Sequence, residues 1–320
     1  MTASGTGGLG PRLGPPVAWS AVLAGGLLIA AMVAPLVLKA ICSIAPETGL
    51  TLSRVFNRVA MLAAIWMLIA FRRHLGWPEL RRLLGRGKWR QRAGEVGIGL
   101  AAALLVIAVG VAWAFATHHL GPTLNEYHFF SQRTATTLVG SLVAALIEES
   151  FFRGLMLASL TVSVGWWPAA LTSSAVYASV HLLSSDRSFV WDGTSVGVGL
   201  AYLVHAVGRQ LEPQAMPPLL GLFLGGLVLA IVVRVTGSLY LVVGLHAGWI
   251  ICFQVIRHAT RVIGEISGTS LLATRHFLVG TGWAWVVIVL SGVVAIAVVR
   301  LTEGVSRSES ATVSRTSAGR

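Results

Sequence analysis

The chain has 320 residues, of which 55% are hydrophobic and 11% charged, and its mean hydropathy is +0.78. A soluble domain carries about 25% charged residues. Several apolar runs here reach the ~20 residues needed to cross a bilayer, which excludes a soluble globular fold. These runs are continuous rather than alternating, which excludes a transmembrane β-barrel. The formal net charge of +12 does not point to nucleic acid, because no recognition motif accompanies it. Eight of the 24 basic residues fall between Arg72 and Arg92, directly after an apolar run. That is the pattern of a cytoplasmic loop, suited to lie against anionic lipid. The expected fold class is all-α: a polytopic transmembrane helical bundle of about eight spans.

Met1 to Pro16 is rich in Gly and Pro and reads as a disordered tail. The first span runs from about Val17 to Ile41, too long for a signal-peptide core, and the second from Val55 to Phe71. In the basic loop 72–92, Trp77-Pro78 marks the start of a short interfacial helix. The third span is Gly94 to Ala116, and polar residues from His118 to Arg133 read as a loop. The fourth span, Ala135 to Leu160, contains Glu148, Glu149 and Arg153.

Trp166-Trp167-Pro168 opens the fifth span, which ends near Leu183. Tryptophan favours the headgroup level, and proline is tolerated in a first helical turn. Val196 to Val207 is a short or re-entrant helix within a mixed stretch. The sixth span is Met216 to Val235, the turn Thr236-Gly237-Ser238 follows, and the seventh is Leu239 to Ile256. The loop Arg257 to His276 precedes the eighth span, Phe277 to Val299. The Ser/Thr-rich segment after Arg300 reads as a disordered tail. The units are therefore 1–16, 17–133, a core at 134–256, 257–300 and 301–320. Cys42 and Cys252 have no metal-type spacing.

With the basic loop in the cytoplasm, both termini fall there too. The basic residues then split 14 cytoplasmic to 9 outside, Arg153 being set aside within its span. The expected location is the plasma membrane, the inner membrane of a bacterium.

Ionisable residues in a membrane helix are costly and mark function. Glu149 and Arg153 are four apart, on one helix face and in the favourable order. Glu148 lies about 100° round the helix. This spacing suggests Glu148 as a general base oriented by Glu149 and Arg153; the alternative is an ion-paired triplet that locks helix packing. His181 ends Val176-Tyr177-Ala178-Ser179-Val180-His181, with Tyr177 one turn earlier, able to stack on or hydrogen-bond the imidazole. His246 stands in Gly244-Leu245-His246-Ala247-Gly248-Trp249, whose small residues allow close helix approach. A lone histidine in either place is more often a satisfied structural residue. Two histidines and an acid pair on three apolar helices suggest a site. Glu and His together activate water, and a second His donates to an oxyanion; alternatively, Glu and two His are the ligands of some catalytic zinc sites. No H-E-x-x-H is present. His205 and Arg209 read as a surface face.

Glu148-Glu149-x-x-x-Arg153, Tyr177-x-x-x-His181 and His246, in that order on separate helices, resemble the CPBP family. This is the CAAX protease and bacteriocin-processing family of intramembrane endopeptidases, also called ABI, whose pattern is EExxxR, FxxxH and HxxxN. The resemblance covers roughly Thr134 to Gln254. It implies peptide-bond hydrolysis by Glu148 and His181, which activate water, with His246 stabilising the oxyanion. The implied partners are the bilayer and a peptide or protein substrate at the membrane. The family has been described both as metal-dependent and as glutamate-dependent; if a divalent metal such as zinc is the cofactor, Glu148, His181 and His246 are its expected ligands. Two positions depart from the pattern: Tyr177 stands for Phe, and Ile250, which cannot hydrogen-bond through its side chain, stands for Asn. Ile250 favours a second reading, a non-catalytic membrane scaffold or immunity protein. A third is an ion-coupled transporter, which the lack of an internal repeat disfavours. With straight spans, His181, Glu148 and His246 fall at three different depths, although a shared site needs one.

Overall fold

The computed structural model of the chain describes residues 14–45, 49–72, 75, 77–85, 87–123, 127–183, 189, 195–263 and 279–318. Most of the N-terminal tail, Asn125, Glu126, the acids Asp186 and Asp192, and much of the 257–276 loop lie outside these residues. The described chain is almost entirely helical, as the composition requires. A bilayer offers backbone groups no partner but one another.

Helices α1 (Pro15–Ile44) and α2 (Leu52–Ala70) form the first antiparallel pair. The expected interfacial helix is α3 (Trp77–Gly85), and α4 (Trp89–Ala116) follows. The loop predicted from His118 to Arg133 is shorter than expected, because α5 (Tyr127–Glu149) begins inside it. No glycine or proline occurs between Asn125 and Val139 to delay helix formation. A π-helical segment, Ser150–Leu157, then leads directly into α6 (Ala158–Val164). After Gly165 come α7 (Trp166–Leu183), the short α8 (Val196–Arg209), α9 (Met216–Thr236) and α10 (Leu239–Ala259). The last helix, α11 (Gly282–Ala318), starts later than the predicted eighth span. Its backbone stays helical to Ala318 through the stretch expected to be a disordered tail; no proline interrupts it.

Among the described residues six helices are long and apolar enough to cross a membrane: α1, α2, α4, α9 with its preceding turn, α10 and α11. The other two expected spans are α5–α6 and α7. These are the helices in which Glu148, Glu149, Arg153, Ser173, Ser174 and His181 dilute the apolar run.

Glycines set the distances between helices around the site. Gly99 of α4 meets the Leu241 carbonyl of α10, and Gly244 of α10 meets the Val96 carbonyl of α4, each too closely for any side chain. Glu95 lies at Ser238 and Ala103 at Gly248, so α4 and α10 run parallel in register. A short antiparallel ribbon joins their C-terminal ends, Leu120–Pro122 (β1) pairing with Thr260–Val262 (β2). Parallel α4 and α10 are what the order of crossings demands if α5–α6, α7 and α9 each cross once and the 14-residue α8 does not. The turn before α10 is fixed locally: Gly237 takes the left-handed conformation at φ 65°, which suits glycine. Ser238 Oγ caps α10 by accepting from Leu241 N at 3.0 Å and donates to Glu95 Oε2 at 2.6 Å.

Replacing Gly244 with leucine forces α4 and α10 apart, beyond the ~1–3 kcal/mol typical of overpacking. The expected result is a sharp fall in folded protein, read by size-exclusion chromatography of detergent-solubilised membranes. Native amounts of the variant would contradict this packing.

Elsewhere, α1 packs on α2 and α8 through Ala30, Ala34, Leu38, Phe56 and Tyr202. Tyr202 Oη donates to the Leu183 carbonyl at 3.1 Å, tying α8 to the end of α7 just beyond His181. On the other side, α11 covers α4 and α9.

Candidate active site

Glu148 and Glu149 close α5, and Arg153 lies inside the π-helical segment. π-Helical turns inside α-helices are rare and frequent at functional sites. Nothing in the sequence announces this one. The segment is held from two sides: Leu80 of α3 sits where a side chain on Gly154 would be, and Ser173 Oγ of α7 donates to the Phe152 carbonyl at 3.2 Å.

The expected Glu149–Arg153 pair is present, with Arg153 Nη1 donating to Glu149 Oε1 at 3.0 Å. Both side chains are fully buried. Arg153 Nη2 also donates to the Gly226 carbonyl of α9 at 2.9 Å, and the guanidinium lies 4.9 Å from the Tyr177 ring centroid. Sequence reasoning missed Gly226; the Gly225-Gly226 pair in an apolar helix was the available signal.

His246 enters from α10. Its Nδ1 is 2.7 Å from Glu149 Oε1, so Glu149 receives both the arginine and the imidazole. A carboxylate on one ring nitrogen fixes the orientation of the other. Nε2 of His246 lies 3.9 Å from Glu148 Oε2 and 3.2 Å from the Tyr177 hydroxyl.

His181 completes the cluster. Its Nδ1 donates to the Tyr177 carbonyl at 2.8 Å, which turns Nε2 to Glu148 Oε2 at 3.2 Å. The Tyr177 ring lies against His181 at 4.2 Å between centroids, tilted by 43° rather than stacked, and its hydroxyl goes to His246 instead.

The side chains of Glu148 and His181 are 31% and 29% exposed, whereas those of Glu149 and His246 are 0% and 5%. The two acids therefore differ in kind. One is sealed in an ion-paired network, and the other is partly exposed together with a histidine, although its Oε2 is buried.

For Glu148 and His181 the depth problem resolves through the hairpin at Gly165. Glu148 and His181 stand at nearly equal distances before and after that glycine, so the antiparallel arms bring them level. The boundaries drawn from hydropathy centred the fourth span on Glu148. The real arm runs on through the π-helical segment and α6 to Val164.

Ile250 packs with Leu142 and Ala145 of α5 and with Val243 and Ala247, so that face of α10 is apolar. The Trp249 indole N–H is engaged by Ser291 Oγ of α11 at 2.9 Å and supplies nothing to the cluster. Arg209 lies by Glu212 at 3.8 Å, on the surface as expected. Among the described residues no group of three or more His, Cys, Asp and Glu is arranged to hold a metal ion.

The architecture is that of an integral membrane protein with a buried glutamate–arginine–histidine network next to a partly exposed glutamate–histidine pair. The family model described as Type II CAAX prenyl endopeptidase Rce1-like matches residues 130–252. All five predicted site residues lie within that segment, and over it the resemblance to the CPBP family is borne out. No curated protein and no solved structure matches the chain.

Proposed function

We propose that the chain is an intramembrane endopeptidase that hydrolyses a peptide bond in a membrane-associated peptide or protein. The supporting observation is the partly exposed Glu148 side chain, whose buried Oε2 lies 3.2 Å from His181 Nε2 and 3.9 Å from His246 Nε2. Water bound alongside Glu148 and His181 gives a proton to Glu148 as its oxygen attacks the scissile carbonyl carbon. The charge that develops on the carbonyl oxygen is met by His246, which donates from Nε2 when its ring carries both protons. Collapse breaks the C–N bond, and the proton held by Glu148 leaves with the amine. Glu149 and Arg153 take no part in the bond changes; they hold His246.

The family description supplies the substrate class to test, a prenylated C-terminal peptide. Purified full-length protein is offered two internally quenched peptides ending in Cys-Ala-Ala-X, one farnesylated and one not. Cleavage abolished by Glu148→Gln supports the reading. Cleavage that persists in that variant would refute the base assignment. The reading also keeps the basic loop and both termini in the cytoplasm, which cysteine labelling from either side of sealed vesicles tests.

Ile250 favours one other reading, a scaffold or immunity protein whose acid pair serves packing. Ile250→Asn separates the two. It is expected to leave cleavage intact or raise it, since the added amide lies one turn from His246. A large loss of cleavage from well-folded protein would count against the oxyanion role of His246.

A further inference from the structure

Tyr177 touches both histidines, in different ways. Its backbone carbonyl accepts from His181 Nδ1, and its ring lies against that imidazole at a tilt; phenylalanine would supply both contacts equally well. Its hydroxyl, 3.2 Å from His246 Nε2, is a contact phenylalanine lacks. The phenol is buried, its residue only 4% exposed. Burying a hydroxyl is unfavourable unless it finds a partner, and the partner here is His246.

The tautomer follows from the surroundings. Nδ1 of His246 faces the Glu149 carboxylate at 2.7 Å and so carries the proton. Nε2 of the neutral ring is then an acceptor, and the Tyr177 hydroxyl donates to it. When the ring gains a second proton, the roles reverse and the phenol oxygen accepts until a developing oxyanion takes that N–H. In either state the ring is held at both nitrogens. Among the described residues, Glu149 and Tyr177 are the side chains within hydrogen-bond reach of His246. Position 250, one turn further along α10, offers an isoleucine packed among Leu142, Ala145 and Val243.

We propose that Tyr177 is a positioning residue for His246: its hydroxyl holds Nε2 toward Glu148, the work that an amide at position 250 would otherwise share. One departure from the motif pattern thus touches the imidazole, and the other lies one turn along α10 from it. The consequence for rate rests on the endopeptidase reading, whereas the hydrogen bond rests on the geometry alone.

The test compares the purified full-length native chain with Tyr177→Phe, Ile250→Asn and the double variant. Phenylalanine keeps the ring packing, so the fold is expected to hold. The first readout is the ¹⁵N resonance of His246 Nε2 in histidine-labelled protein, assigned by its loss in His246→Gln. It is expected to shift in Tyr177→Phe; an unmoved resonance overturns the proposal. The second is cleavage of the farnesylated peptide. Tyr177→Phe is expected to lower kcat about tenfold, the upper end for one hydrogen bond, with KM unchanged. In the Ile250→Asn background the same change is expected to cost clearly less. Equal losses in both backgrounds overturn the compensation. If the native chain leaves the peptide uncut, the prenyl-substrate reading fails, and the resonance still decides the role of Tyr177.

Discussion

Glu148→Gln is expected to reduce cleavage by about 10²–10⁴-fold, the usual contribution of a positioned general base, and to leave the protein folded in the membrane. Glutamine keeps the shape of the side chain and loses the charge. Because Glu148 is about one-third exposed, the loss should fall on rate and not on stability. The measurement is a comparison of protein N-termini in membranes from cells carrying the native chain and cells carrying the variant. Termini that vanish in the variant report both the activity and its substrate. Matching termini, with a phenotype on deleting the whole chain, would sink the protease reading and favour the scaffold.

Much of this was legible in the sequence because membrane helices restrict the alternatives. Apolar runs had to be helices, and ionisable residues inside them had to find one another. So Glu149 and Arg153 paired as their spacing demanded, and Thr236-Gly237-Ser238 made the turn its residues encode. Depth was not legible. Hydropathy marks where a helix is apolar, and the polar site helices blur that mark: the arm carrying Glu148 runs past its apolar stretch through a π-helical segment that no residue pattern signals. The reach of Tyr177 was hidden for a related reason. Spacing along α7 pairs Tyr177 with His181, but only packing between α7 and α10 shows that its hydroxyl meets His246. Likewise, the Gly225-Gly226 pair signals a close approach, but only the packing of α9 shows that the Gly226 carbonyl meets Arg153.

Arg153→Ala is expected to lower both the amount of folded protein and its activity. Removing one partner of a buried ion pair typically costs ~3–5 kcal/mol, because the remaining charge stays buried, and native proteins are stable by only about 5–15 kcal/mol. Here the cost is raised by the second bond of Arg153, to the Gly226 carbonyl, which ties the π-helical segment to α9. Alanine also leaves Glu149 to His246 alone, so the imidazole loses a fixed anchor. The control is a double variant, Glu149→Gln with Arg153→Met. It removes both charges and nearly preserves volume, a change that is often neutral for stability. Folded protein in membranes should therefore return toward native levels, while cleavage stays low because His246 is no longer held by a carboxylate. If Arg153→Ala accumulates like the native chain, the pair does not support the fold. If the double variant regains full activity, Glu149 does not position His246, and the separation of the two acids into a sealed and an open role is wrong.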